Sequence, residues 1–114
     1  MSERRIVFRF SVPYTTPADV ADEIPGLVRR IIESGDALRF DRAHLQALGE
    51  FALNYEVVYF VTSPDYQLYM DRQHAINVAL LREFAARDIV FALPTRTLRV
   101  LDARAQAPEP AGLS

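Results

Sequence analysis

The sequence predicts an α+β fold, a ferredoxin-like two-layer sandwich in the order βαββαβ with an extra C-terminal strand. Three observations predict it. Residues 5–12 and 53–62 alternate with a period of two, the mark of strands with one buried face. Two other stretches repeat apolar residues at helical spacing. Short apolar runs at 89–93 and 97–101 are separated by Pro94. Two amphipathic helices can roof one face of a four-stranded sheet.

The elements follow in chain order. Ile6, Phe8, Phe10 and Val12 share one face of the first strand, with Arg5, Val7, Arg9 and Ser11 on the other. Thr16 is placed to cap a helix with Pro17 at its first position and Asp19 near the positive end. Val20, Ile24, Leu27, Val28, Ile31 and Ile32 form its stripe, and Gly35 is placed to end it. Pro25 interrupts that stripe, so a kink or restart is expected there, because an interior proline costs about 3 kcal/mol.

Residues 36–50 are less defined. Leu38 and Phe40 are anchors, and 43–48 reads as a short strand, although its Ala, Leu and Gln also favour helix locally. Leu53, Tyr55, Val57, Tyr59 and Val61 then share one face of the strongest strand, with Asn54, Glu56, Val58, Phe60 and Thr62 on the other. Ser63 and Pro64 open a second helix with the stripe Tyr69, Ile76, Leu80 and Phe84, where Ala75 and Ala79 allow close approach to the sheet. The domain spans residues 3–101, including the terminal strand 97–101. Residues 102–114 lack apolar periodicity and are expected to be disordered.

Composition narrows the function classes. The 114 residues are half apolar and a quarter charged, with a formal net charge of -2, which disfavours a nucleic-acid partner. The absence of cysteine excludes disulfides, thiolate metal sites and cysteine nucleophiles. No apolar run approaches the roughly 20 residues of a membrane helix, so no direct membrane insertion by this segment is expected. Residues 1–5 lead straight into a strand pattern, so no secretory leader is expected.

Several segments carry a resemblance. Tyr14-Thr15-Thr16-Pro17 precedes the first helix, and Arg39-Phe40-Asp41-Arg42-Ala43-His44 enters the second strand. Asn54-Tyr55-Glu56-Val57 forms a strand core, and Ala75-Ile76-Asn77 lies upstream of Phe84 on the second helix. The run Ile89-Val90-Phe91-Ala92-Leu93-Pro94-Thr95-Arg96-Thr97-Leu98 closes the series. Together these resemble the last cytoplasmic domain of the small-conductance mechanosensitive channel family.

The resemblance implies a soluble cytoplasmic domain of a homo-heptameric channel in the cell (inner) membrane. Its role would be structural, in a cytoplasmic cage acting in osmotic stress, without conducting ions by itself. Residues 97–101 would supply one strand to a barrel at the symmetry axis. Asp88 stands where the family commonly has a glycine, at a left-handed position. The transmembrane helices and the middle β domain of such a channel are missing, so the chain reads as an excised fragment or an orphan domain. In isolation it is expected to be monomeric or weakly associating.

Candidate sites follow from the same residues. The expected oligomer interface comprises Val7, Val58 and Phe60 on the sheet face away from the helices, plus Thr97, Leu98, Arg99, Val100 and Leu101. Arg5 and Arg9 are placed to pair with Glu56 across that face. Asp71 with His74, and Asp41 with His44, have helical i, i+3 spacing but fall short of the three or four ligands zinc needs, so no metal or cofactor is expected. Asp22 and Glu23 read as charges near a helix start, and the tyrosines at 55, 59, 66 and 69 as core packing with hydroxyls reaching out. With no nucleophile elbow, zinc-protease motif or glycine-rich phosphate loop, an enzyme is not expected. The alternative is a stand-alone ferredoxin-like regulatory module that binds a small molecule.

Overall fold

The computed structural model describes residues 3–92. Its elements are β1 (Arg4–Val12), α1 (Ala18–Glu33), β2 (Leu38–Leu48), β3 (Leu53–Val61) and α2 (Tyr66–Ala86). The strands form an antiparallel sheet in the order β1-β3-β2. This is an α+β arrangement of three strands and two helices, compatible with the ferredoxin-like sandwich.

The alternation of β3 puts Tyr55, Val57, Tyr59 and Val61 in the core, at most 1% exposed. Opposite them on β1 lie Phe10, Phe8, Ile6 and Arg4 in register. The Phe10 and Tyr55 rings stack at 5.0 Å between centroids. From above, α1 contributes Ala21, Ile24, Leu27, Val28 and Ile32, and α2 contributes Ile76, Leu80 and Phe84. Ala75 and Ala79 line a groove against Leu27 and Ile31 of α1.

Proline 25 neither kinks α1 into two nor restarts it; one assigned helix runs through it. Proline has no N–H, so the bond that position 25 would donate to the Ala21 carbonyl is missing. The Tyr55 hydroxyl takes that place, donating to the Ala21 carbonyl at 2.7 Å. A core tyrosine on the sheet therefore satisfies the acceptor that the proline leaves open.

The helix caps are displaced from their expected positions. Pro17 is the N-cap of α1 with no side-chain cap bond, and Thr16 instead closes a turn by donating its N–H to the Pro13 carbonyl at 3.0 Å. Asp65 caps α2 by accepting the Gln67 N–H at 3.1 Å, while Ser63 accepts the Asp65 N–H at 3.2 Å. The helix begins two residues later than the Pro64 pattern suggests because a carboxylate outcompetes the upstream hydroxyl for the end of the helix.

The second strand extends to Leu38, five residues before the expected start at 43. It absorbs two irregularities, between Phe40 and Arg42 and between Leu45 and Ala47. Each inserts an extra residue, Asp41 or Gln46, which breaks the period of two that makes a strand legible.

Residues 89–92, the described part of the expected 89–93 strand, form no strand. The Ile89 N–H is taken by the Phe84 carbonyl at the helix end (2.8 Å), and Ala92 donates to the Ser11 carbonyl beside β1 at 2.9 Å. Phe91 anchors the segment by stacking on Phe84 at 4.6 Å. The strand and interface expected at 97–101, and the tail at 102–114, lie outside the described residues.

Two residues other than glycine adopt left-handed backbone, Ala37 (φ 62°) and Asp88 (φ 58°). The position of Asp88 agrees with expectation. Gly35 does not hold the left-handed position after α1; Ala37 does, immediately before β2. An L-alanine there costs roughly 1–2 kcal/mol, part of which glycine returns as lost chain entropy. Ala37→Gly is expected to stabilise the domain by about 0.5–1 kcal/mol. A urea midpoint that stays put or falls would contradict the strain.

Candidate assembly surfaces

The sheet face away from the helices carries Arg5, Val7, Arg9 and Ser11 of β1, Arg39, Arg42 and His44 of β2, and Asn54, Glu56, Val58 and Phe60 of β3. Cross-strand register places Arg9 opposite Glu56, and their side chains pair at 2.7 Å, as expected. Ser11 donates to Asn54 Oδ1 at 2.7 Å one rung further along. The Arg39 guanidinium lies over the Phe60 ring, 4.1 Å from its centroid, and pairs with Glu3 at 2.7 Å. Hydrogen bonding from Arg39 holds the Glu3 carboxyl below its ordinary range, and the same bond raises the arginine.

This face is less bare than the sequence suggests. Val7 and Phe60 are half-buried, and Val58 is completely buried. Val58 lies between Val7 and Arg42 in register. Val58 is thus closed off, and Val7 and Phe60 are the members of the trio left open to a partner.

A second surface was not legible from the sequence. The β2–β3 turn is closed by the Gly49 N–H donating to the Ala52 carbonyl at 2.8 Å, and the Tyr14 hydroxyl donates to the Gly49 carbonyl. A Cβ at Gly49 would lie 2.9 Å from the Ala52 oxygen, so the tight turn requires glycine. Around it Leu48 is 72% exposed, Phe51 65%, Tyr14 50% and Leu45 39%. Beside them a groove of about 770 Å³ runs between the start of α1 and β2, lined by Tyr14, Asp22, His44, Leu45, Leu48 and Leu53 among others. The available signal was apolar residues flanking a glycine turn.

The other candidates fall into structural roles. Tyr55 and Tyr59 are core residues, and Tyr59 donates to Gln73 Oε1 at 2.6 Å. Burial raises both phenols above their ordinary range. Tyr66 and Tyr69 flank the Arg4 guanidinium, which lies 5.6 and 5.7 Å from their ring centroids. Asp71 accepts from Gln67 at 2.9 Å and Asp41 pairs with Arg42 at 3.1 Å. Among the described residues no three His, Asp or Glu side chains converge as metal ligands. None of the described helices is long and apolar enough to cross a membrane.

Comparison with known proteins places this geometry among relatives. The family described as "Mechanosensitive ion channel MscS, C-terminal" matches residues 6–91. The chain is 29% identical over 96 residues to the small-conductance mechanosensitive channel MscMJ of Methanocaldococcus jannaschii, covering 83% of this chain and 27% of that protein. It is 26% identical over 92 residues to the large-conductance mechanosensitive channel MscMJLR of the same organism, covering 76% of this chain and 26% of that protein. The chain thus spans about a quarter of the length of these relatives.

Proposed function

Because the chain belongs to the family of mechanosensitive ion channel C-terminal domains, we infer that it is a structural and oligomerising domain on the cytoplasmic side of a small-conductance-type channel. The observation that carries this reading is the family match across both helices and all three strands. It is a channel-domain family and not an enzyme class. In this reading the domain packs against copies of itself in a homo-heptamer and against the channel's middle β domain. Tension is sensed and ions are conducted by transmembrane segments, and the domain shapes the cage beneath them during osmotic stress. Thr97, Leu98, Arg99, Val100 and Leu101 of each copy together supply one strand to a terminal barrel, and Val7, Val58 and Phe60 belong to the face that meets a neighbour.

The test is a chimera in which residues 1–114 replace the matching quarter of the small-conductance relative. Tension-gated current and an assembled channel are expected. A chimera that inserts into the membrane but remains monomeric overturns the reading. In the assembling chimera, Phe60→Lys places an ammonium beneath the Arg39 guanidinium. Assembly is expected to weaken roughly tenfold per contact, the equivalent of about 1.4 kcal/mol. Assembly at the unaltered level, read by light scattering, would remove Phe60 from the interface.

A further inference from the structure

The two ends of α2 fix where the chain next meets the sheet. Tyr66 and Tyr69 flank Arg4 at the start of β1, and Phe84 meets Phe10 near its end. The helix therefore returns along β1, and residues 89–92 arrive beside the last residues of that strand, where Ala92 donates to the Ser11 carbonyl at 2.9 Å. The length of β1 still ahead runs back toward Arg4, so any further pairing is antiparallel. Among the described residues this outer edge has no partner strand, because the sheet order is β1-β3-β2. The alternation of an antiparallel pair turns the backbone groups of Arg5, Val7 and Arg9 the same way as those of Ser11, and those of Ile6, Phe8 and Phe10 toward β3.

Carried forward in that register, the sequence runs into chemistry that stops it. With Ala92 against Ser11, Pro94 would stand against Arg9, Thr95 against Phe8, Thr97 against Ile6 and Arg99 against Arg4. Positions 92, 94 and 96 would aim their N–H groups at β1, and proline has none to give. An edge strand tolerates proline where its nitrogen faces away from the sheet, whereas this one would face in. Residues directly opposite Phe8 and Ile6 share their face, which packs into the core. Thr95, Thr97 and Arg99 would take those inner places, and Leu98 and Val100 would be left outside. Arg99 would also set a second guanidinium across from Arg4, a like-charge pair.

We propose that Pro94 ends the sheet: the pairing that Ala92 begins goes no further, the outer edge of β1 stays open, and residues 95–101 are withheld from their own domain. One missing donor and an inverted alternation act together, so neither alone decides the outcome. The exposed arginines at 5 and 9 guard the open edge against chance strand pairing. This deepens the assembly reading above, because a segment that cannot complete its own sheet remains available to the rest of a channel.

Amide exchange in the complete chain of 114 residues tests this without any assembly. Corrected for intrinsic rates, the Val7 N–H is expected to exchange roughly tenfold or more faster than those of Ile6 and Phe8, which face β3. Val7 protected as well as Ile6 and Phe8 overturns the proposal, since its N–H has then found a strand. A second chain carries Pro94→Val, Thr95→Val, Thr97→Val and Arg99→Val, which restore the donor and the alternation. Its Val7 exchange is expected to slow toward that of Ile6. No slowing in this variant, shown by circular dichroism to be folded, also overturns the proposal. The first measurement stands alone if the variant does not fold. The chimera reports separately: if it carries tension-gated current while Val7 of the unaltered chain is protected, the device is wrong and the channel reading stands.

Discussion

Tyr55→Phe is expected to destabilise the domain by about 1–3 kcal/mol, the cost of leaving a buried acceptor unsatisfied. The ring stays, and with it the stacking on Phe10. Only the hydroxyl that donates to the Ala21 carbonyl is lost. The decisive comparison is the same change made in a Pro25→Ala background. Alanine restores an N–H to position 25, and the Ala21 carbonyl regains its helical partner. Tyr55→Phe should then cost less than half as much, a coupling within the roughly 0.5–3 kcal/mol seen for residues sharing a partner. Equal costs in both backgrounds, measured by urea unfolding, would show that the tyrosine and the proline act independently.

Phe84→Ala is the larger loss, about 3–5 kcal/mol by analogy with other buried aromatic truncations. Against a total stability of about 5–15 kcal/mol for a typical domain, this brings the protein close to unfolding. Phe84 is 1% exposed, stacks on Phe91 and meets Phe10 edge-on at 5.7 Å. Its removal should therefore also free residues 89–92. Amide exchange at Ala92, whose N–H bonds Ser11, is expected to accelerate beyond the general loss of stability. Leu81→Ala, on the exposed flank of the same helix, should change stability by no more than about 0.5 kcal/mol. Comparable losses from the two changes would mean that the described core is wrong.

What the sequence revealed follows from where its periodicity survives. The strand at β3 was readable because its alternation is unbroken and every second residue is buried. Both helices were readable from their stripes. β2 was only partly readable because Asp41 and Gln46 each shift the phase of the pattern. The uninterrupted run of α1 through Pro25 could not be foreseen. It depends on a hydroxyl 30 positions away in the chain, and no local rule reports such a partner.

The surfaces divide in the same way. Arg9 and Glu56 were placed together because both faces of their strands were known. The complete burial of Val58 was missed because the alternation of β3 assigns it to the outward face, and a pattern records which face a residue takes and not what covers it. The corner at Leu48 was missed because its geometry belongs to a turn, where the exposure of Leu48 and Phe51 follows from no periodic pattern. The left-handed Asp88 was legible through family resemblance. Ala37 carried no comparable signal, since alanine at such a position is the exception.

The two extra residues in β2 also govern what this domain refuses. A strand that bends twice presents a broken row of donors and acceptors, onto which a foreign strand cannot zip in continuous register. Many copies can then be crowded together without runaway polymerisation through their backbones. A partner on that side would have to be recognised by side chains, which can be tuned residue by residue.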